Sequence, residues 1–142
     1  MFASKDEPLT KEKQNRQLGH MKRGLANLQH SPDPIFEDWE VISDAVNMME
    51  TLLHMGMVED PDDAIGEAVA ALGKTGDRCL RGQPLRLDGP AIGLLKGVLE
   101  DYEMVLENIP ARTMIMAHRA TEKRVQAQIV ESFKRERAKE AV

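Results

Sequence analysis

The side chains that could bind a metal ion or move a proton are few in this sequence, and the best-spaced pair is His118 and Glu122. Because the two residues are four apart, a helix would place them on one face. A zinc site would need at least one further ligand, and only an assumed packing could bring His54 close enough. A structural hydrogen bond of His118 explains the pair more simply. We therefore predict no metal site.

Three other patterns resemble known sites but have the wrong spacing. Gly73-Lys74-Thr75 looks like the end of a phosphate-binding loop, but Ala68 stands where that loop needs a glycine, and a helix precedes it instead of a strand. The acidic run 60–63 lacks calcium-loop spacing and contains a proline, so helix capping explains it. Cys79 has no histidine partner in a recognisable signature. We predict no catalytic residue, no cofactor and no enzyme activity.

Composition favours a helical protein with one domain. The 142 residues are 42% hydrophobic and only 4% aromatic, and nine of them are Met. Ala, Leu, Met, Glu and Lys are plentiful, and these residues favour helices over strands. A chain of this length can bury a sizeable core.

The same composition predicts a cytoplasmic location and no membrane span. A single cysteine, Cys79, excludes an internal disulfide and fits a reducing compartment. The N-terminal sequence lacks the apolar segment of a signal peptide, and no apolar run reaches membrane-spanning length.

Helical spacing of apolar residues divides the chain into five predicted helices. We expect them at 10–29, 35–55, 61–79, 90–109 and from 110 onward. The third is predicted to end either near Gly73 or near Cys79. The predicted fold is an all-α bundle of four to five helices with a long C-terminal helix.

Residues 1–32 form a basic N-terminal segment containing one predicted helix, and 33–142 form the helical domain. The end of the last helix, after Phe133, has little to bury and is expected to fray. Asp33, Asp60 and Asp88 are predicted N-caps, each with a proline in the first turn of its helix. Gly56 is the predicted C′ residue of the second helix.

The second helix carries the strongest core signal in the sequence, a stripe at steps of three and four residues. Its members are Phe36, Trp39, Ile42, Val46, Met49 and Leu53. The first helix has a shorter seam that needs a partner surface, either on its own domain or on another chain. That seam consists of Leu18, Met21, Leu25 and Leu28.

Apolar residues of the fourth and fifth helices are also spaced like a coiled-coil seam, which predicts an interface in a homo-oligomer, with a dimer favoured. Two polar members, His118 and Thr121, could fix its register. The predicted interface consists of Leu95, Leu99, Tyr102, Leu106, Met114, His118, Thr121, Val125 and Ile129.

Charge is strongly segregated along the chain. Residues 1–30 carry six basic and three acidic side chains, 31–110 carry five and 17, and 111–142 carry eight and four. One interpretation is that the basic ends pack on the acidic middle, within one molecule or across a dimer. The alternative is a basic surface for nucleic acid, which the acidic middle disfavours. Its candidate residues are Arg112, Arg119, Lys123, Arg124, Lys134, Arg135 and Arg137.

Two stretches resemble small uncharacterised proteins of proteobacterial phages and mobile elements. They are PLRLDGPAIGLLKGVLEDYEMVLENIPARTM at 84–114 and MIMAHRATEKRV at 114–125. The resemblance covers roughly 80–129 and assigns no functional residue. It implies an accessory factor that acts on a host protein through protein contacts.

Together these observations predict a non-enzymatic helical protein that interacts with another protein or regulates it. The alternative is a nucleic-acid-binding regulator that uses the basic C-terminal helix.

Overall fold

Five α-helices make up the structure, a computed structural model that describes residues 7–140. They are α1 Lys11–His30, α2 Phe36–His54, α3 Ala64–Leu80, α4 Gly89–Asn108 and α5 Ala111–Glu140, and no strand occurs within that range. The predicted all-α bundle with a long C-terminal helix is confirmed. Residues 1–6 of the predicted N-terminal segment and residues 141–142 of the predicted tip lie outside the described range.

The second helix, α2, is the centre of the bundle. It packs against each of the other four helices, and Ile42, Val46 and Leu52 on it are completely buried. The predicted stripe therefore forms the core, except at its start. Phe36 is 52% exposed and stacks on Trp39 with ring centroids 5.4 Å apart.

The seam of α1 finds its partner surface inside the same chain. Its four predicted residues are buried, and α1 packs on α2 and α4. A Cβ atom on Gly24 would lie 2.6 Å from Cγ1 of Val41, so only glycine allows this approach of α1 to α2. The apolar spacing of α1 gives no sign of this packing role of Gly24.

Two predicted helix ends are confirmed. Asp88 caps α4, and its Oδ1 accepts a hydrogen bond from the N–H of Ala91 at 2.8 Å. Gly56 follows α2 with a φ of 75°, in the left-handed region that favours glycine. The N–H of Met57 then donates to the carbonyl oxygen of Leu52, which closes a Schellman turn.

Two predicted N-caps are wrong by two or three residues: the N-cap residue is Ile35 rather than Asp33 in α2, and Asp63 rather than Asp60 in α3. α2 begins at Phe36 rather than after Asp33, because the carboxylate of Asp38 accepts the N–H of Ile35. α3 begins at Ala64 rather than Pro61, although Asp60 still accepts a hydrogen bond from the N–H of Ile65 at 3.0 Å. In both cases the capping carboxylate accepts a hydrogen bond from an N–H three or five residues away, and the spacing of apolar residues does not reveal such contacts.

Beyond the bundle, α5 continues to Glu140, and the fraying expected after Phe133 stays a prediction. Its 30 residues span about 45 Å. From 111 to 140 the chain contains neither Pro nor Gly, and Lys, Arg, Glu, Gln and Ala sustain the helix. All residues from 126 to 140 are exposed.

None of the helices within residues 7–140 is both long enough and apolar enough to cross a membrane.

Candidate functional site

The first half of α5 is fastened to α2 by a small polar contact. The hydroxyl oxygens of Thr51 and Thr121 lie 2.6 Å apart, and Thr121 also donates to the carbonyl oxygen of Ala117 at 2.7 Å. Thr121 is buried together with Ala117 and Met114. It therefore aligns α5 on α2 within one chain instead of fixing the register of a dimer.

Arg124 adds an ion pair to the same contact. Its guanidinium pairs with Glu50 and donates to the carbonyl oxygen of Asn47 at 2.9 Å and to Oγ1 of Thr51 at 3.1 Å. The Arg124 and Glu50 side chains are only 23% and 20% exposed. Arg124 is thus bound within the bundle, and the prediction that it contacts nucleic acid does not fit this position.

Most of the predicted oligomer interface lies inside the bundle, where a second chain cannot reach it. The heptad-like spacing reflects packing within the chain, because α4 itself is a core helix. The buried members are Leu95, Leu99, Tyr102, Leu106, Met114 and Thr121. Three predicted members remain accessible: His118, Val125 and Ile129. His118 forms the predicted pair with Glu122, with Nε2 3.0 Å from Oε1.

The second half of α5, residues 126–140, projects beyond the bundle and carries exposed apolar side chains. Ile129 and Phe133 of this half follow the half-buried Val125 at four-residue steps, and we call these three residues the distal stripe. Ile129 is 44% exposed and Phe133 is 65% exposed. A shallow groove of about 310 Å³ follows this stripe along the helix. Its lining residues are Val125, Gln128, Ile129, Ser132, Phe133 and Glu136.

A second surface of α5 is basic. At 3.6 residues per turn, five of the seven predicted cations fall within an arc of about 60° that faces away from α2, and this arc contains no acidic residue. We call it the outward basic face, and all its members are exposed. Arg135 points to a different side of the helix. The outward basic face consists of Arg112, Arg119, Lys123, Lys134 and Arg137.

A cavity of about 470 Å³ separates α1 from α5. Both helices pack on α2 but not on each other, which leaves this space above α2. The cavity is mostly apolar, with polar groups from all four surrounding helices. Its lining residues are Leu9, Gln17, His20, Met21, Val41, Asp44, Ala45, Met48, Tyr102, Met114, Ile115, His118 and Arg119. We call it the α1–α5 cavity.

Two acidic groups in the cavity have raised pKa values. Partial burial, reinforced by the charge of Glu40, raises the pKa of the exposed Asp44, whereas His118 opposes the shift. Burial and the nearby Asp44 raise the pKa of Tyr102 to about 12. The Tyr102 hydroxyl donates a long hydrogen bond of 3.4 Å to Oε1 of Gln17. At neutral pH the phenol of Tyr102 is therefore uncharged.

Sequence patterns did not reveal this cavity. The sequence predicts Tyr102, Met114 and His118 as interface residues and Arg119 as a nucleic-acid residue, and it gives no sign that they share a cavity with Asp44. The cavity exists because α1 and α5 stay apart, and no periodicity within one helix reports the distance to another.

Across residues 7–140, no three His, Cys, Asp or Glu side chains are grouped so that they could hold a metal ion. Comparison with known proteins gives no match: no family model, no curated protein and no solved structure matches this chain. The resemblance of 84–125 to phage and mobile-element proteins therefore stays a prediction.

Proposed function

We propose that this protein is a non-enzymatic interaction or regulatory factor that binds a partner protein through the projecting half of α5. The observation that carries the proposal is the distal stripe on a helix that extends past the bundle. Isolated helices of about 15 residues are marginal in water. A stripe at Val125, Ile129 and Phe133 gains free energy only when another apolar surface covers it.

A second copy of the chain is the partner we propose first. Residues 126–140 carry four basic and three acidic side chains, so two copies would repel each other little. Closed dimers with identical contacting patches are the commonest homo-oligomers. Two of the three predicted interface residues that remain accessible, Val125 and Ile129, belong to the same stripe. The role as an accessory factor acting on a host protein is compatible with this surface.

Sedimentation velocity over a range of protein concentrations tests the proposal. Wild-type protein should sediment as a dimer, and the double variant Ile129→Glu, Phe133→Glu should sediment as a monomer. The matched control is Ala127→Glu, Ala138→Glu, which adds the same charge on another side of the same exposed helix and should remain dimeric. A monomeric wild-type protein, or identical behaviour of the two double variants, would refute self-association through the stripe.

The outward basic face supports a second candidate function, nucleic-acid binding. Five cations along roughly 38 Å of helix, with no acidic residue among them, suit phosphate contacts. The excess of acidic residues elsewhere in the chain works against it. Binding to a fluorescent duplex should weaken steeply with added salt and further in Arg119→Glu, Lys123→Glu. No binding even at low salt would exclude this function.

A further inference from the structure

We propose that the α1–α5 cavity binds a small primary amine whose ammonium group contacts Asp44 and whose apolar body packs among Met21, Met48 and Met114. This site is separate from the distal stripe and does not depend on the oligomeric state. Its volume of about 470 Å³ lies within the range of small-molecule sites, roughly 300–1,000 Å³.

The shape and lining suit an amphipathic guest. Apolar side chains from the segment before α1 and from α1, α2 and α5 form most of the wall. Three are methionines, whose flexible and polarizable side chains adapt to ligands of varied outline. An aliphatic or aromatic body of modest size would replace water against these surfaces.

The charge of the ligand follows from Asp44. Its carboxylate receives no hydrogen bond and no ion pair from residues 7–140. Asp44 is exposed to solvent at the cavity wall, and partial burial together with Glu40 raises its pKa, whereas His118 opposes the shift. An ammonium group would add a second counter-charge beside His118 and would supply the hydrogen-bond donors that the carboxylate lacks. It could also donate to the oxygen of Tyr102, a neutral phenol at the same wall.

The basic groups around the cavity are less suited to hold an anion. Nδ1 of His20 is 3.0 Å from a guanidinium nitrogen of Arg23, and His118 is paired with Glu122. Arg119 belongs to the outward basic face, where water and salt screen its charge. A carboxylate or phosphate inside the cavity would also face Asp44. The charge pattern therefore favours a cation.

Methyl resonances of the methionines offer a direct test with 2-phenylethylammonium as the probe. Titration should shift the signals of Met21, Met48 and Met114 and leave exposed Met57 and Met104 unchanged. The anion 3-phenylpropionate, with a similar apolar body, should bind more weakly. No shift of the three lining methyls up to millimolar probe, or tighter binding of the anion, would overturn the proposal.

A charge-neutral variant isolates the role of the carboxylate. Asp44→Asn should weaken binding of the amine at least about tenfold, since it removes the counter-charge. Asp101→Asn removes the same charge from an exposed position on α4 that does not line the cavity, and should leave affinity unchanged. Fluorescence of Trp39, the only tryptophan, verifies that both variants are folded. Equal affinity in wild-type and Asp44→Asn protein would refute the assigned contact.

Discussion

At the scale of single residues, the role of a charged side chain on α5 depends on whether it contacts α2. Arg124 and Arg135 are both cations of α5 and were predicted to act alike. Arg124 is held between Glu50 and the backbone of α2, whereas Arg135 is exposed beyond the bundle. Residue type and spacing gave no means to separate them, because the difference comes from where α2 ends.

Replacement of Arg124 by Ala should lower the free energy of unfolding by about 2 kcal/mol. The loss comes from leaving Glu50 and the carbonyl oxygen of Asn47 without a partner in a largely buried place. Arg135→Ala, the matched control, should change it by less than about 0.5 kcal/mol. Urea titrations followed by Trp39 fluorescence measure both values. Equal effects of the two substitutions would contradict the structural role of Arg124.

Asp44→Asn should make the protein more stable at neutral pH. A pKa raised by folding means that the ionised carboxyl costs stability, and the cost disappears as the pH falls and Asp44 becomes protonated in both folded and unfolded states. Melting temperatures of the two proteins should therefore converge as the pH falls through the carboxyl range. The neighbouring groups that titrate are Glu40, His118 and Tyr102, and they are unchanged in the variant. A lower melting temperature of Asp44→Asn at neutral pH would contradict this account.

The buried phenol of Tyr102 predicts a loss of folding stability at high pH. Its pKa of about 12 exceeds the unfolded value of about 10, so folding gains stability from the neutral phenol below pH 10 and loses it as the pH rises toward 12. The loss amounts to roughly 2–3 kcal/mol. The Tyr102→Phe variant should not show this loss of stability.

Tyr102 is the only tyrosine, so tyrosinate absorbance reports this group alone. A titration midpoint near the ordinary value in the folded protein would show that the phenol is not buried as described.

At the scale of elements, the contacts between helices decide which small residues matter. Gly24 lies where α1 touches Val41 of α2, and Gly76 of α3 lies against the ring of Trp39, where an added Cβ would be 2.9 Å from the ring. The Trp39 indole N–H donates to the carbonyl oxygen of Leu72 at 3.0 Å. Both glycines thus allow helices to approach α2 closely.

Alanine substitutions in α1 should have opposite effects at its two glycines. Gly24→Ala should destabilise the protein by about 1–3 kcal/mol, because the new methyl group meets Val41 and the backbone of Asp38. Gly19→Ala, where no atom lies within 4 Å of the added Cβ, should stabilise it by up to about 1 kcal/mol. Denaturant titrations of both variants provide the comparison, and a stabilising Gly24→Ala would disprove the close approach.

The helices themselves were predictable, but their partners were not. Spacing of apolar residues located all five elements, and Asp88 and Gly56 were identified because their local hydrogen bonds follow from nearby sequence. The seam of Leu95, Leu99 and Leu106 was also recognised, but it was attributed to a second chain. Steps of three and four show that a face is covered without showing which surface covers it.

At the scale of the whole molecule, the projecting half of α5 does not contribute to the free energy of unfolding of the bundle. No residue from 126 to 140 is buried, so none of them adds to the core. A chain that ends at Gln128 should therefore keep the free energy of unfolding of its monomer within about 0.5 kcal/mol.

The same truncated chain should lose the ability to form dimers, since Ile129 and Phe133 are gone. Denaturation at low concentration and sedimentation velocity measure the two properties independently. A large loss of monomer stability would show that the projecting half contributes to the fold.

The central position of α2 has a consequence for synthesis. The chain emerges from the ribosome N-terminus first, and domains fold as they appear. The groove of α2 that receives Thr121 and Arg124 lies some 70 residues earlier in the sequence. Until α5 has been synthesised, it cannot cover Met48 and Thr51 of α2. A nascent chain therefore exposes this part of α2 to chaperones and to other unfinished chains during about half of its translation.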